Sequence, residues 1–179
     1  MWLVIPNLLT FARILMTPLI LMELAKGHYL TGGWLFGAAA FTDVLDGGFA
    51  RRFGGQSKFG QYLDPIADKI MLSAVYIGLA LAHAMPAWVV VVIFARDFWI
   101  LLLSAIALRF TQFRQLEPSV WGKASTFAQI MAAVGVMAAR AYGNDAFNQA
   151  AGLLIWAVAA LALISAADYT FRGIRYLRS

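Results

Sequence analysis

The sequence predicts an all-helical integral membrane protein with six transmembrane helices. Of its 179 residues, 62% are hydrophobic and only 13% are charged, which is too apolar for an ordinary soluble domain. Six apolar stretches each supply the roughly 20 residues that a helix needs to cross about 30 Å of hydrocarbon. Short polar segments separate these stretches, and no repeat or long linker interrupts them. The sequence therefore predicts a single membrane domain over residues 1–179.

Each helix is delimited by its neighbouring segments, taken in chain order. The first stretch runs on through Arg13 without the cleavage pattern of a removable signal peptide, so it is interpreted as a membrane helix. Gly, Pro, Asn and charged residues mark the five turns that follow, LAKGHYLTGG, ARRFGGQSK, HAMP, TQFRQLEPS and YGND. The six predicted helices cover residues 6–25, 31–50, 59–83, 86–110, 120–142 and 147–171.

Positive charge predicts the orientation of these helices. It concentrates in the second connection, around the fourth connection and in the tail, at Arg51, Arg52, Lys58, Arg109, Arg114, Lys123, Arg172, Arg175 and Arg178. By the positive-inside rule, both termini and the even-numbered loops are cytoplasmic. The isoelectric point near 9.8 does not indicate a nucleic-acid partner, because the cations form short groups and no basic helix face.

Four aspartates within 26 residues form the most informative cluster: Asp43, Asp46, Asp64 and Asp68. Spacings of three and four place each pair on one face of its helix. Four like charges near hydrocarbon repel one another strongly, so the cluster predicts bound divalent cations. The chain has no cysteine, and oxygen ligands favour Mg²⁺, Mn²⁺ or Ca²⁺. Two such ions about 4 Å apart would form a clamp for displacement at phosphorus.

Small residues and one arginine accompany these carboxylates. Gly47, Ala50 and Gly60 would let a ligand approach the backbone closely. Arg51 offers a planar group of donors that is suited to phosphate.

Together, the aspartates and these neighbours match the signature DxxDGxxAR(x)8GxxxDxxxD at all eight fixed positions: Asp43, Asp46, Gly47, Ala50, Arg51, Gly60, Asp64 and Asp68. On this match the chain is identified as a member of the CDP-alcohol phosphotransferases, with their six-helix fold. The segments PNLLTFAR, DPIADK and GKASTFAQ resemble the branch that transfers phosphatidyl groups.

The resemblance implies an enzyme that uses CDP-diacylglycerol and releases CMP. It implies that Asp43, Asp46 and Asp64 ligate two Mg²⁺ or Mn²⁺ ions, and that Asp68 serves both a metal and base catalysis. The cytidine would lie over Gly47, Ala50 and Arg51, with Asp43, Asp46 and Gly60 completing the nucleotide site. It further implies a homodimer in a bacterial inner membrane.

The acceptor is expected to be anionic, because the remaining candidate site residues are cations. The tentative acceptor-binding residues are Arg96, Arg109, Arg114, Lys123 and Arg172, with Arg13 and Arg175 as further cations. Cationic acceptors such as choline would need aromatic or acidic groups instead. Asn7 and Arg13 are equally compatible with ligand contacts and with helix packing. Adjacent helix positions diverge, so Arg96 and Asp97 are expected to have separate partners, whereas Asp168 is expected to pair with Arg172.

Two acceptors suit this pattern, glycerol 3-phosphate and phosphatidylglycerol. The motifs PNLLTFAR and GK(x)2T resemble phosphatidylglycerophosphate synthases, whereas EPSVWGKAST and the Arg96–Asp97 pair also resemble CMP-forming cardiolipin synthases. The preferred prediction is glycerol 3-phosphate, with phosphatidylglycerol as the alternative and inositol phosphate as a further possibility. An alternative of another class is a small ion transporter lined by carboxylates.

Overall fold

The computed structural model describes residues 4–53, 58–110 and 119–178, with side chains described within 11–42, 66–106 and 119–175. Six helices occupy this part of the chain, which confirms the predicted all-helical fold. They are α1 (Val4–Ala25), α2 (Tyr29–Phe53), α3 (Lys58–Leu81), α4 (Ala87–Phe110), α5 (Val120–Tyr142) and α6 (Asp145–Arg178).

The largest difference from the predicted boundaries is the end of α6. The prediction stopped at residue 171, where the charged tail begins, but the helix continues to Arg178. Charge ends an apolar stretch without ending a helix, because Arg, Leu and Tyr are all accommodated in helical backbone. The single Gly173 is not enough to break it.

The protein is an integral membrane protein. By length and composition, three of the described helices qualify as membrane spans: Ala87–Ile106, Val120–Tyr142 and Asp145–Arg175. Large apolar side chains such as Trp34, Leu101 and Leu153 are well exposed on the described surface, as expected where helices face lipid. The apolar composition of the sequence therefore reflects both the interior and the exterior of the helices.

Backbone contacts divide the chain into two compact units. The first comprises Met1–Met85 and Arg140–Tyr142, and the second comprises Pro86–Ala139 and Gly143–Ser179. That residues 1–179 form one domain stays a prediction.

In the first unit, α1 packs against both α2 and α3 through a narrow buried face. Leu24, near the end of α1, is fully buried. A Cβ added to Gly32 of α2 would lie 2.5 Å from Leu24 Cδ2, and one added to Gly78 of α3 would lie 2.8 Å from Leu24 Cβ. Both neighbouring helices approach α1 closely because each places a glycine against Leu24, as is common between helices in lipid.

Replacing Gly78 by Ala is expected to destabilise the first unit by about 1–3 kcal/mol, the usual cost of overpacking. The new methyl group would meet Leu24 Cβ and, at 3.3 Å, the Leu21 carbonyl oxygen, and neither atom is at the end of a flexible chain. The measurement is the melting temperature of the purified protein in detergent. The matched control is Gly37→Ala on α2, where no atom of the described residues lies within 4 Å of the added Cβ. Equal melting temperatures for the two variants would contradict the proposed close contact.

In the second unit, α4 packs against α6, and polar side chains join them within the apolar surroundings. Arg96 Nη2 donates to Ser165 Oγ at 2.6 Å, and Trp99 Nε1 donates to Thr170 Oγ1 at 2.9 Å. Each bond satisfies a donor that lipid could not satisfy. These bonds fix the register of α4 on α6.

Both ends of α5 are capped. Ser119 is the N-cap, and Gly143 ends the helix with a left-handed φ of 63° while its N–H donates to the Ala139 carbonyl. Glycine suits this conformation because a side chain would be strained there. The N-cap thereby fixes the start of α5 one turn before Lys123.

Candidate functional site

The four aspartates lie on two helices of the first unit, as predicted. Asp43 and Asp46 belong to α2, and Asp64 and Asp68 belong to α3. Both helices are continuous through these positions. That each pair of carboxylates shares one helix face stays a prediction from the spacings of three and four. Seven residues of the predicted metal and nucleotide site have side chains outside the described ones: Asp43, Asp46, Asp64, Gly47, Ala50, Arg51 and Gly60.

Asp68 is the described member of the cluster, and it pairs with Arg13. Arg13 Nη1 of α1 donates to Asp68 Oδ1 at 2.7 Å. The Arg13 side chain is 1% exposed, whereas that of Asp68 is 47% exposed. The guanidinium is therefore held in the packed interface of α1 and α3, and it anchors one oxygen of a carboxylate that is still accessible from outside.

Sequence reasoning left the role of Arg13 open between ligand contact and packing. The available signal was an arginine inside an apolar helix, which normally has a specific partner. Nothing in the sequence identified that partner, because 55 residues separate Arg13 from Asp68.

The residues fit a hard divalent cation. The predicted donors are all carboxylate oxygens, and Asp68 keeps nearly half of its side-chain surface open. Among the described side chains alone, no group of three or more potential ligands is close enough to hold a metal. Three of the four carboxylates lie outside that set, so the predicted two-ion site stays a prediction.

The second unit contains a cavity of about 420 Å³ that is lined by both polar and apolar side chains. The polar ones are Arg96, Lys123, Thr126 and Tyr169, and the apolar ones are Ile100, Phe127 and Ile130. Two of the predicted acceptor-binding cations, Arg96 and Lys123, therefore line the same cavity.

Arg96 is 8% exposed and forms two hydrogen bonds. Nη1 donates to Asp97 Oδ1 at 2.9 Å, and Nη2 donates to Ser165 Oγ. The expectation that Arg96 and Asp97 would have separate partners was wrong. Their Cβ atoms diverge on the helix, but the arginine side chain is long enough to turn back to its neighbour. Nε is buried and, within the described part of the chain, has no hydrogen-bond partner.

Lys123 is the exposed cation of the cavity. It lies in the first turn of α5, and the described residues include no ion pair to it. Thr126, one turn further on, donates from Oγ1 to the Gly122 carbonyl at 3.2 Å. Asp97 already offsets the charge of Arg96, so Lys123 supplies most of the uncompensated positive charge in the cavity.

Of the remaining predicted acceptor residues, the described one is Arg172, and it is not among the described residues that line this cavity. Arg172 pairs with Asp168, as expected, with Arg172 Nε 3.1 Å from the carboxylate. The side chains of Arg109 and Arg114 lie outside the described residues.

The start of α5 is held by two contacts that sequence reasoning missed. Ser119 N–H donates to Tyr169 Oη of α6 at 3.1 Å, and Gly122 N–H donates to Ser119 Oγ at 2.9 Å. Gly122 precedes Lys123 in the GK(x)2T motif, which was the one available signal. The motif did not reveal that a tyrosine 47 positions after Gly122 packs on it.

Comparison with known proteins gives a consistent result. The family model described as CDP-alcohol phosphatidyltransferase matches residues 3–164. A protein of Mycobacterium tuberculosis (strain CDC 1551 / Oshkosh) named "Probable phosphatidylglycerophosphate synthase" is 34% identical over 94% of this chain and 81% of its own length. The "CDP-diacylglycerol--glycerol-3-phosphate 3-phosphatidyltransferase" of Bacillus subtilis (strain 168) is 29% identical over 98% of this chain and 97% of its own. A Drosophila melanogaster "Probable cardiolipin synthase (CMP-forming)" is 34% identical over 70% of this chain and 44% of its own.

Proposed function

The chain belongs to the CDP-alcohol phosphatidyltransferase family, and from this premise we propose that it transfers the phosphatidyl group of CDP-diacylglycerol to glycerol 3-phosphate and releases CMP. The observation that carries the choice of acceptor is the coverage of the relatives. The likeness to the Bacillus subtilis enzyme extends over 97% of that protein, whereas the likeness to the Drosophila cardiolipin synthase covers 44%.

The donor is proposed to bind at the aspartates of α2 and α3. Asp43, Asp46, Asp64 and Asp68 would hold two Mg²⁺ or Mn²⁺ ions, which would offset the negative charge of the diphosphate. Gly47, Ala50 and Gly60 leave room for the nucleotide, and Arg51 binds its phosphate. Arg13 orients Asp68 through the 2.7 Å bond to Oδ1.

In the transfer step, Asp68 is proposed to act as the general base. The carboxylate accepts the proton of the acceptor hydroxyl as that oxygen forms a bond to the lipid-side phosphorus. The bond between this phosphorus and the oxygen of CMP breaks, and Arg51 stabilises the charge that develops on the departing phosphate. CMP and the phosphatidyl ester of the acceptor are the products.

The acceptor phosphate is proposed to bind in the cavity of the second unit. Lys123 supplies an ammonium group that forms no ion pair with the described residues, and the buried Nε of Arg96 offers a donor that none of those residues accepts from. Arg109 and Arg114 stay candidates for the same role. Arg172 is a weaker candidate, because Asp168 already offsets its charge.

Phosphatidylglycerol is the second candidate acceptor. The observation in its favour is that apolar side chains also line the cavity: Ile100, Phe127 and Ile130 offer a surface that an acyl chain could contact. A soluble acceptor needs only the polar side chains.

We propose that the active site and both termini face the cytoplasm and that the protein works as a homodimer in a bacterial inner membrane. Support for the orientation comes from the concentration of Arg and Lys in the even-numbered loops. Native mass measurement in detergent tests the dimer, and labelling of single introduced cysteines tests the orientation.

We expect the purified protein to release CMP from CDP-diacylglycerol when Mg²⁺ and glycerol 3-phosphate are present. EDTA should abolish this release, and added Mg²⁺ or Mn²⁺ should restore it. The assay compares glycerol 3-phosphate, phosphatidylglycerol and inositol phosphate under the same conditions. CMP formation with phosphatidylglycerol alone would overturn the preferred acceptor, and none with any of the three would overturn the proposed reaction.

A further inference from the structure

Ser119 forms hydrogen bonds through three of its groups at the start of α5. Its N–H donates to Tyr169 Oη, its Oγ accepts from Gly122 N–H, and its carbonyl accepts from Lys123 N–H at 3.0 Å. Ser119 is 1% exposed and Tyr169 is 7% exposed. Bonds in such a water-poor position are costly to lose, because no solvent replaces the missing partner.

The ring of Tyr169 packs directly on Gly122. A Cβ at Gly122 would lie 3.0 Å from Tyr169 Oη, 3.2 Å from Cε2 and 3.4 Å from Ser119 Oγ. The absence of a side chain at residue 122 therefore lets the tyrosine reach Ser119. We call Ser119, Gly122 and Tyr169 the α5 clasp.

The α5 clasp adjoins the cavity that contains Lys123. Lys123 follows Gly122 in the chain, and both residues line the cavity together with Tyr169 and Arg96. The ammonium group lies at the end of a flexible side chain, so the region it can reach is set by where the Lys123 backbone is held. The clasp fixes that backbone immediately before the lysine, through the Tyr169 hydroxyl.

We propose that Tyr169 is a positioning residue for the acceptor: through Ser119 and Gly122 it holds the first turn of α5 so that Lys123 meets the acceptor phosphate. This inference rests on the proposed function for the identity of the acceptor. Tyr169 acts through Lys123 and takes no part in the transfer of the phosphatidyl group. Its loss therefore weakens acceptor binding and leaves CDP-diacylglycerol binding unchanged.

The first test is Tyr169→Phe, which keeps the ring on Gly122 and removes the hydroxyl that accepts from Ser119. We expect KM for glycerol 3-phosphate to rise about tenfold, as for the loss of one buried hydrogen bond. The kcat and the KM for CDP-diacylglycerol should stay within about twofold of wild type. The matched control is Thr170→Val on the next residue of α6, which removes the bond from Trp99 and does not alter the clasp. It should leave KM for both substrates unchanged.

A second test separates positioning from a general loss of structure. If Tyr169 acts through Lys123, Tyr169→Phe should add almost nothing to the KM of a Lys123→Ala variant. A full tenfold rise in the Lys123→Ala background would overturn the inference. So would a change confined to kcat or to the melting temperature.

Binding of inorganic phosphate distinguishes failure of this inference from failure of the proposed function. Phosphate should raise the melting temperature of the wild-type protein in detergent, and Tyr169→Phe should need about tenfold more phosphate for the same rise. If the wild-type protein uses no glycerol 3-phosphate but Tyr169→Phe still shows this difference, the positioning role of Tyr169 is supported and the proposed acceptor is wrong. If the wild-type protein turns over glycerol 3-phosphate and Tyr169→Phe behaves like it, the positioning role of Tyr169 is wrong and the proposed function is unaffected. If phosphate does not bind to the wild-type protein, the positioning role of Tyr169 is also contradicted.

Discussion

Replacing Asp68 by Asn is expected to abolish CMP release, with a loss of about 10²–10⁴-fold, the usual contribution of a general base. Asparagine has nearly the size and shape of aspartate, and its amide oxygen can still accept from Arg13 Nη1. It cannot take up the proton of the acceptor hydroxyl. The substitution therefore removes the proposed chemistry while keeping the local packing.

The measurement combines CMP release with binding of CDP-diacylglycerol to the same preparation. Binding should be largely preserved, because Asp43, Asp46 and Asp64 are unchanged. Asp145→Asn is the matched control, since Asp145 is exposed in the first turn of α6, and it should retain full activity. Full turnover by the Asp68→Asn protein would refute the base assignment.

Replacing Arg13 by Met is expected to reduce CMP release by about 10–100-fold, the range seen when a residue that orients a functional ligand is lost. Without the guanidinium, the Asp68 carboxylate loses the 2.7 Å bond that holds Oδ1, so it is less firmly oriented towards the acceptor hydroxyl. Arg13 itself is 1% exposed and is assigned no contact with substrate. The loss of activity would therefore be transmitted through Asp68.

The stability of the Arg13→Met protein should change much less than its activity. Removing one partner of a fully buried ion pair costs about 3–5 kcal/mol, because the other charge is left without a partner away from water. Asp68 is 47% exposed, so water can solvate it, and the apolar methionine suits the interface of α1 and α3. We expect a melting temperature close to that of wild type.

Arg13→Lys tests the geometry of the pair. Lysine keeps the positive charge but has no planar guanidinium, so activity should lie between wild type and Arg13→Met. An Arg13→Met protein with normal kcat would contradict the proposed role, as would one that unfolds and loses CDP-diacylglycerol binding altogether.

Hydropathy and spacing predicted the helices well because both are local properties. Six apolar stretches of membrane length predicted six helices, and the interrupting turns located most of their ends to within a turn. The end of α6 was wrong, because the change from apolar to charged residues marks the edge of an apolar stretch and not the end of a helix.

The helices that carry the aspartates were predicted for the same reason, whereas the metal site stays a prediction. Their helix faces follow from spacings of three and four, and their chemistry follows from the charge that a membrane protein must compensate. The match at eight fixed positions then identified the family, which the family model covering residues 3–164 confirms.

Contacts between residues far apart in the chain could not be predicted from the sequence. Arg13 and Asp68 are 55 positions apart, and Ser119 and Tyr169 are 50 apart, so no periodicity relates them. The pairing of Arg96 with its own neighbour was also misjudged, since the path of a long side chain depends on what surrounds it.

The sequence by itself determined the membrane character, the six helices and the family, because hydropathy and motif spacing act within one segment of chain. Only the tertiary structure decided that Arg13 holds Asp68, that Arg96 and Lys123 line one cavity, and that Tyr169 holds the start of α5. Those choices depend on which helix faces pack together. Packing in lipid is selected by close steric fit and by the partners of buried polar groups, which no single segment contains.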